Sequence, residues 1–239
     1  MKSILARPIA WVRHPAVWIP AVALAAVTVM FWQTDLDQIL VRRYFSASAP
    51  GSEVLVRFPL AAHQPWRWLY EWGVYPAWIL GGFGLVVWIA SFIWTKLEDW
   101  RDPGLFCALV LLIGPGILVN CVFKPFWDRP RPNAIRSFGG SEAFVPLWQL
   151  GSGTGDHSFP SGHAAAGFYL MTPAFVFYRR RPWTALAFLL LGLASGTLIG
   201  LARMVAGGHF PSDVLWAGGI VYFTALALAV PFHFDREKS

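Results

Sequence analysis

Three short polar segments of the sequence carry residue types that together bind and transfer phosphate. The first holds Lys124 and Arg131, the second is Pro160-Ser-Gly-His163, and the third runs from Arg203 to Asp213. Arginine offers planar, forked donors that match phosphate oxygens, and lysine adds a compact positive charge. The three segments therefore predict one pocket for a tetrahedral oxyanion, with phosphate as the obvious ligand.

The middle segment adds the start of a helix to this pocket. Ser161 and Gly162 follow Pro160 and stand directly before a long apolar run. The unpaired backbone N–H groups and the dipole of a helix N-terminus attract anions, and glycine lets the backbone approach a ligand closely. We expect Ser161 and Gly162 to bind the phosphate together with the three cations.

Two histidines predict covalent phosphoryl transfer. His209 precedes Asp213 by four residues, so a helical segment would place both on one face. Asp213 would then accept a hydrogen bond from the imidazole and leave its other nitrogen free to attack phosphorus. His163, in the anion-binding turn, would protonate the departing oxygen. Water would hydrolyse the phosphohistidine, and no metal or other cofactor is predicted, because the sequence shows no carboxylate cluster for Mg²⁺ or Zn²⁺.

The elements that position these residues are predicted to span a membrane. The chain of 239 residues is 56% hydrophobic and only 13% charged, whereas a soluble domain carries about a quarter charged residues. We predict a single domain, residues 1–239, folded as an all-α bundle of six transmembrane helices with the active site at one membrane face. Runs long enough to cross a bilayer are Ala16–Gln33, Trp72–Trp94, Leu105–Phe123, Gly162–Tyr178, Trp183–Leu201 and Val214–His233.

This arrangement brings the three polar segments to the same side of the membrane. Lys124 ends the third span, Ser161 opens the fourth, and residues 203–213 join the fifth to the sixth. The opposite side carries the very short basic loop Arg179–Arg181, and short basic loops favour the cytoplasm. We expect cytoplasmic termini, with residues 1–14 preceding an uncleaved first helix rather than belonging to a signal peptide. We expect the active site to face the periplasm or exterior of a bacterial inner membrane.

The polar connection of residues 34–71 has no assigned role. Its segment Leu36–Phe45 is predicted to include a short helix at the membrane interface. Its aromatic residues suit a belt at the level of the lipid headgroups; they are Trp66, Trp68, Tyr70 and Trp72.

The motif spacings resemble those of the type 2 phosphatidic acid phosphatase superfamily, in its branch of bacterial membrane lipid phosphatases. The matching motifs are Lys124-x6-Arg131-Pro132, Pro160-Ser-Gly-His163 and Arg203-x5-His209-x3-Asp213. The resemblance covers roughly residues 100–230, with the core motifs at 124–213. Ala202 stands where the family usually has serine, which removes one hydroxyl contact to phosphate.

The resemblance also implies a role for each motif residue. It implies that His209 is the nucleophile, Asp213 its orienting partner and His163 the general acid. It implies phosphate binding by Lys124, Arg131, Ser161, Gly162 and Arg203.

Polar residues beside the motifs have a structural interpretation. Arg129 repeats the Arg-Pro dipeptide two residues before Arg131-Pro132, and we expect it to contact a headgroup or to form a salt bridge within the loop. Asp128 and Arg136 are interpreted as loop structure. Asp156 and His157 are interpreted as supporting the loop or the helix entry.

The predicted function is that of an integral membrane phosphatase acting on a phosphomonoester or diphosphate of a lipid headgroup. The candidate substrates are phosphatidylglycerophosphate, phosphatidic acid, undecaprenyl diphosphate and a lipid A phosphate. The loop Ser137-Phe-Gly-Gly140, with Phe144 and Pro146, resembles bacterial lipid A phosphatases. A lipid phosphotransferase and a non-enzymatic lipid-binding or transport protein are the alternatives. The net charge of +6 fits anionic lipid headgroups rather than nucleic acid, and the sequence does not indicate an oligomeric state.

Overall fold

The chain folds as an all-helical bundle in a computed structural model, which describes residues 15–47, 51, 53–151, 155, 157–232 and 234. The predictions for residues 1–14 and for Asp156 lie outside the described residues. The helices are α1 (Pro15–Gln33), α2 (Leu36–Arg42), α3 (Trp66–Trp72), α4 (Tyr75–Ala90), α5 (Arg101–Leu111), α6 (Gly162–Tyr169), α7 (Thr172–Phe177), α8 (Pro182–Val205) and α9 (Pro211–Phe232). Single helical turns occupy Val54–Arg57, Pro59–Ala62, Thr95–Trp100, Pro132–Ala134 and Arg136–Phe138.

The described helices form a multi-pass membrane protein. Five helical stretches among them are long and apolar enough to cross a bilayer: Pro15–Gln33, Trp66–Ala90, Thr95–Ala134, Pro182–Val205 and Pro211–Phe232. Their outward side chains are large and apolar; Ile79 is 69% exposed and Trp183 is 81% exposed. Contiguous apolar surface of this kind is unfavourable in water and is solvated by lipid.

The fourth predicted span differs from the expected single helix. Residues Gly162–Tyr178 form α6 and α7, which are interrupted at Leu170 and Met171. Pro173 lies in the first turn of α7, where its missing N–H is tolerated. Within a continuous helix, a proline at this position would remove a backbone hydrogen bond and break the helix. Every residue of α6 from Ala164 to Tyr169 is buried, so this segment is the centre of the bundle and the predicted count of six spans is approximate.

The third span leads without interruption to Lys124. Helix α5 continues as wider π-helical turns over Leu112–Phe123 and closes with the α-helical turn Lys124–Trp127. Within the wide turns, the amide of Asn120 donates to the carbonyl of Pro115 over 2.6 Å. Wide turns of this type recur at functional sites. Here they end at Phe123, so that Lys124 lies at the end of the span, as the sequence predicts.

The polar connection 34–71 is partly helical. The predicted helix within Leu36–Phe45 is confirmed as α2, and its Asp37 is buried. Helices α3 and α4 together form the apolar stretch Trp66–Ala90, so the second span begins six residues before the predicted Trp72.

Glycines on one face of α8 allow it to pack tightly against its neighbours, with Gly196 in contact with α6. Gly192, Gly196 and Gly200 recur every four residues, a spacing that places them on the same helix face and that brings membrane helices close together. A Cβ atom added to Gly196 would lie 2.3 Å from the ring of Phe168, and one added to Gly167 would lie 2.7 Å from the Cα of Gly196. The two backbones therefore approach to a distance that side chains would prevent.

Gly196→Ala should lower the free energy of unfolding by about 1–3 kcal/mol, because the added methyl overlaps the Phe168 ring in a close-packed interface. Thermal unfolding of the purified protein in detergent measures the change. Gly82→Ala is the control, since a Cβ at Gly82 in α4 meets nothing within 4 Å. Equal melting temperatures for the two variants would contradict the packing described here.

Candidate active site

The three predicted motif segments meet at one end of the bundle. The backbone N–H of Ser161 donates to the carbonyl of Asp213 over 3.1 Å, which joins the second segment to the third. Lys124 of the first segment lies beside Gly162 of the second: a Cβ atom added to Gly162 would lie 3.2 Å from Nζ of Lys124. The predicted convergence is confirmed.

The start of α6 has the predicted form of an anion-binding turn. Ser161 is the N-cap, and its Oγ accepts a hydrogen bond from the backbone of Ala164 over 3.4 Å. The backbone N–H groups of Gly162 and His163 occupy the first turn, where helix geometry provides no partner. Because a helix N-terminus attracts anions, these groups remain candidates for phosphate binding.

Three cations supply the positive charge of this pocket. The charges of Lys124, Arg131 and Arg203 are close enough to repel one another. Arg203 is only 4% exposed, and its Nε and Nη1 atoms find no hydrogen-bond acceptor in the described part of the chain. Buried polar groups in proteins are nearly always hydrogen-bonded, so these two donors are candidates for binding an anionic ligand.

Tyr70 joins the site from outside the motif segments. The Cζ atom of Arg203 lies 4.1 Å from the centroid of the Tyr70 ring, and the same ring lies 5.7 Å from the His163 ring, centroid to centroid. The Tyr70 ring, which is 41% exposed, thus contacts two motif residues, a contact that the sequence does not predict. No spacing in the sequence relates Tyr70 to Arg203, 133 residues away.

His209 is oriented mainly by a backbone carbonyl. Its Nδ1 atom lies 2.6 Å from the carbonyl oxygen of Ser158 and 3.7 Å from Oδ2 of Asp213. The predicted shared helix face is wrong, because α9 begins at Pro211, after His209. Since a carbonyl can only accept a hydrogen bond, Nδ1 carries the proton and Nε2 keeps its lone pair.

The environment of His209 keeps the imidazole neutral. Burial lowers the pKa of His209 to about 4; Asp213 acts against this shift and the charge of Arg203 adds to it. A neutral imidazole at pH 7 is the nucleophilic form. The unfolded chain binds a proton at this histidine near pH 6.5, whereas the folded protein binds it only near pH 4. The free energy of unfolding therefore decreases as the pH falls from about 6.5 to about 4.

Asp213 is held by three donors. Its Oδ1 accepts from Nη1 of Arg129 over 2.7 Å. Its Oδ2 accepts from Oγ of Ser158 over 2.8 Å and from the backbone of Phe210 over 2.7 Å. Arg129 forms a salt bridge, one of the two roles expected from the sequence, but its partner Asp213 lies outside the loop.

The remaining polar neighbours support the 124–158 loop. Asp128 Oδ1 accepts from the backbone of Gly155 over 3.0 Å, and Arg136 Nε donates to the carbonyl of Ser141 over 3.0 Å. His157 Nδ1 lies 3.1 Å from Asp128 Oδ1. Their structural interpretation is confirmed.

A family comparison agrees with this geometry. Residues 104–237 match the sequence pattern of the PAP2 superfamily, more than half of the chain. The chain belongs to the PAP2 superfamily.

Three curated relatives each bear the name lipid A 4′-phosphatase. The protein of Francisella tularensis subsp. novicida is 41% identical over 140 residues, which cover 58% of this chain and 62% of the relative. The protein of Rhizobium etli is 36% identical over 48% of this chain and 45% of its own, and that of Rhizobium leguminosarum is 37% identical over 48% and 50%. The chain thus spans about half the length of these relatives. No solved structure shows a significant match.

The PAP2 site opens into an apolar groove between α4 and α5. This cavity of about 730 Å³ ends at Lys124, Gly162 and His163. Its walls are mostly aliphatic and aromatic, and include Trp78, Leu85, Leu105, Leu109 and Leu112. A phosphate at the cationic end can therefore be joined to an apolar body that remains among the helices.

The proton on His209 can be tested by ¹⁵N NMR of histidine-labelled protein, in which His209→Ala identifies the resonance. We expect a protonated Nδ1 and an unprotonated Nε2 at pH 7, with half-protonation near pH 4, because burial disfavours the imidazolium. A midpoint near 6.5 would show instead that solvent reaches the ring.

Replacement of Tyr70 tests its contact with the PAP2 phosphate pocket. Tyr70→Ala should lower kcat/KM by about 2- to 5-fold, since Tyr70 is 41% exposed and a cation over an exposed ring is worth roughly 0.5–1 kcal/mol. Tyr70→Phe keeps the ring over Arg203 and should lower kcat/KM less than Tyr70→Ala does. Trp68→Ala, on the same helix, is the control for general effects on α3. Equal activities of Tyr70→Ala and Trp68→Ala would remove Tyr70 from the site.

Proposed function

We propose that this protein is a membrane phosphatase that hydrolyses the 4′-phosphate of lipid A at the periplasmic face of the inner membrane. The observation that supports it best is the pairing of a buried, unsatisfied guanidinium with a neutral histidine. Arg203 has donors without acceptors among the described residues, and His209 beside it has a hydrogen-bonded Nδ1. An anion site next to a nucleophile is the arrangement that phosphoryl transfer requires.

The first chemical step transfers the phosphoryl group to His209. Its Nε2 attacks phosphorus, the P–N bond forms, and the bond from phosphorus to the lipid oxygen breaks. In the absence of substrate, burial and the charge of Arg203 favour the neutral form of His163, on the first turn of α6. His163 would therefore take up a proton together with the phosphate, whose negative charge offsets the neighbouring cations, and give this proton to the departing oxygen. The lipid leaves as an alcohol, and phosphate remains on the histidine.

The second step releases inorganic phosphate. Water attacks phosphorus, the P–N bond breaks, and His163 recovers a proton from the attacking water. His209 returns to its neutral form with Nδ1 still bonded to Ser158. Water and a phosphomonoester thus give an alcohol and phosphate, with both histidines restored.

The charges of the site match a phosphomonoester. Lys124, Arg131, Arg203 and Arg129 are four cations, while Asp37 and Asp213 are the carboxylates paired with Arg129, which leaves a formal charge of +2. A phosphomonoester carries about −1.5 to −2 at pH 7. The cations would stabilise the equatorial oxygens in both transition states.

Two observations support lipid A as the substrate. The groove that ends at Lys124 and His163 can hold acyl chains while the phosphate stays at the cationic end. The three relatives that share 36–41% identity with this chain are named lipid A 4′-phosphatases. The short basic loop Arg179–Arg181 at the opposite ends of the spans supports the periplasmic orientation.

We expect the purified protein, in detergent with a chelator, to release phosphate from lipid A that carries only the 4′-phosphate, and much less from lipid A that carries only the 1-phosphate. Phosphatidic acid, phosphatidylglycerophosphate and undecaprenyl diphosphate complete the panel. His209→Ala should lower the rate by more than about a thousand-fold, because it removes the attacking atom. His63→Ala, an exposed histidine, is the control.

Each contrary result changes a specific part of the proposal. Preference for another lipid of the panel would replace the substrate but keep the chemistry. Activity in His209→Ala would remove the nucleophile. A chelator effect reversed by Mg²⁺ would contradict the metal-free mechanism, and phosphate transferred to an added acceptor lipid instead of water would indicate a phosphotransferase.

A further inference from the structure

Arg129 is buried between two carboxylates from distant parts of the chain. It has no exposed surface. Its Nη2 donates to Asp37 over 2.8 Å, and its Nη1 donates to Asp213 over 2.7 Å. Its Nε donates to the carbonyl of Val145 over 2.8 Å. No atom of Arg129 is therefore available to a substrate, and its charge is used within the protein.

Asp37 brings helix α2 to the same network. Its side chain is 3% exposed. Its Oδ1 accepts from the backbone of Ser212 over 3.0 Å, and its Oδ2 accepts from the Ser212 hydroxyl over 2.6 Å. The same hydroxyl accepts from Arg129 Nη1 over 2.9 Å. Asp37 thus binds the first turn of α9 and the guanidinium together, although it lies outside residues 104–237, the part that matches the family.

The network reaches His209 through Ser158. The backbone N–H of Ser158 donates to the carbonyl of Arg129 over 2.8 Å, and its hydroxyl donates to Asp213 over 2.8 Å. Its carbonyl accepts from Nδ1 of His209 over 2.6 Å. Arg129 thus contacts the site twice. Its side chain binds Asp213, and its backbone carbonyl binds Ser158, whose own carbonyl accepts from the imidazole of His209.

We propose that Asp37 and Arg129 are positioning residues for phosphoryl transfer, which hold Asp213 and Ser158 so that Nε2 of His209 faces the phosphate pocket. This inference rests on the proposed function. It assigns to α2 a part in catalysis: the short helix that follows α1 supplies a second buried carboxylate to Arg129, besides that of Asp213. Neither residue contacts the substrate.

Asp37→Asn tests the inference, because it removes one charge and keeps the shape of the side chain. We expect kcat to fall by about 10- to 100-fold, as small displacements of reacting groups have effects of this size, with KM within about 3-fold. The histidine ¹⁵N spectrum of the folded variant should show the His209 proton moving from Nδ1 toward Nε2. Measurements are made well below the melting temperature, so that a loss of stability alone changes neither quantity.

Arg57→Met is the matched control. Arg57 also anchors the 124–158 loop, through the carbonyls of Asn133 and Phe138 at 3.1 Å and 2.9 Å, but its bonds do not include Asp213. The Arg57→Met protein should keep the wild-type kcat and the wild-type tautomer of His209. An Asp37→Asn protein that does the same would overturn the inference.

Further arms keep the test decisive. If Asp37→Asn does not fold, Ser212→Ala replaces it, because this change removes only the hydroxyl between Asp37 and Arg129. Ser212→Ala should also lower kcat, by a smaller factor than expected for Asp37→Asn. A Ser212→Ala protein with the wild-type kcat and the wild-type His209 tautomer would overturn the inference. If the wild type releases no phosphate from any lipid, the proposed function fails, and the His209 tautomer in Asp37→Asn alone decides the role of the network.

Discussion

One buried guanidinium, that of Arg129, links the parts of this protein that form its candidate active site. It joins Asp37 of α2 to Asp213 of α9, 176 positions apart in the sequence. Removal of one partner of a buried ion pair costs about 3–5 kcal/mol, because the other charge is left without compensation. The loop that carries Arg129 and the two helices must therefore be in place together. The orientation of His209 follows from this assembly, since Ser158 is bonded to both Arg129 and Asp213.

The charged residues near His209 form two groups. In the first group, Arg129 forms ion pairs with Asp37 and Asp213. In the second group, Arg203 keeps donors without acceptors in the described part of the chain, and its charge acts on His209 together with that of Lys124. A cluster of like charges in a buried pocket destabilises the folded protein until an anion binds. The cluster of cations near His209 is thus unfavourable in the unliganded protein, and a bound phosphate is expected to offset this repulsion.

The sequence predicts those features that depend on local spacing. The helix start at Gly162, the end of the third span at Lys124 and the all-helical membrane fold follow from short patterns and from the lengths of apolar runs. The shared helix face of His209 and Asp213 is wrong for a local reason: proline is favoured in the first turn of a helix, so α9 starts at Pro211. Tyr70 and Asp37 could not be predicted, because each reaches the site through contacts more than 90 residues distant in sequence.

The short central helix α6 explains how a polar reaction can take place at the end of an apolar bundle. It is buried from Ala164 onward, and glycines of α8 let the two backbones approach closely. Its N-terminus is thereby fixed against the bundle, with Gly162 leaving room for the Lys124 ammonium. The groove between α4 and α5 ends at this same turn. An amphiphile can then keep its chains among apolar side chains while only its phosphate enters the cationic pocket, so the bundle needs no opening wide enough for a whole lipid.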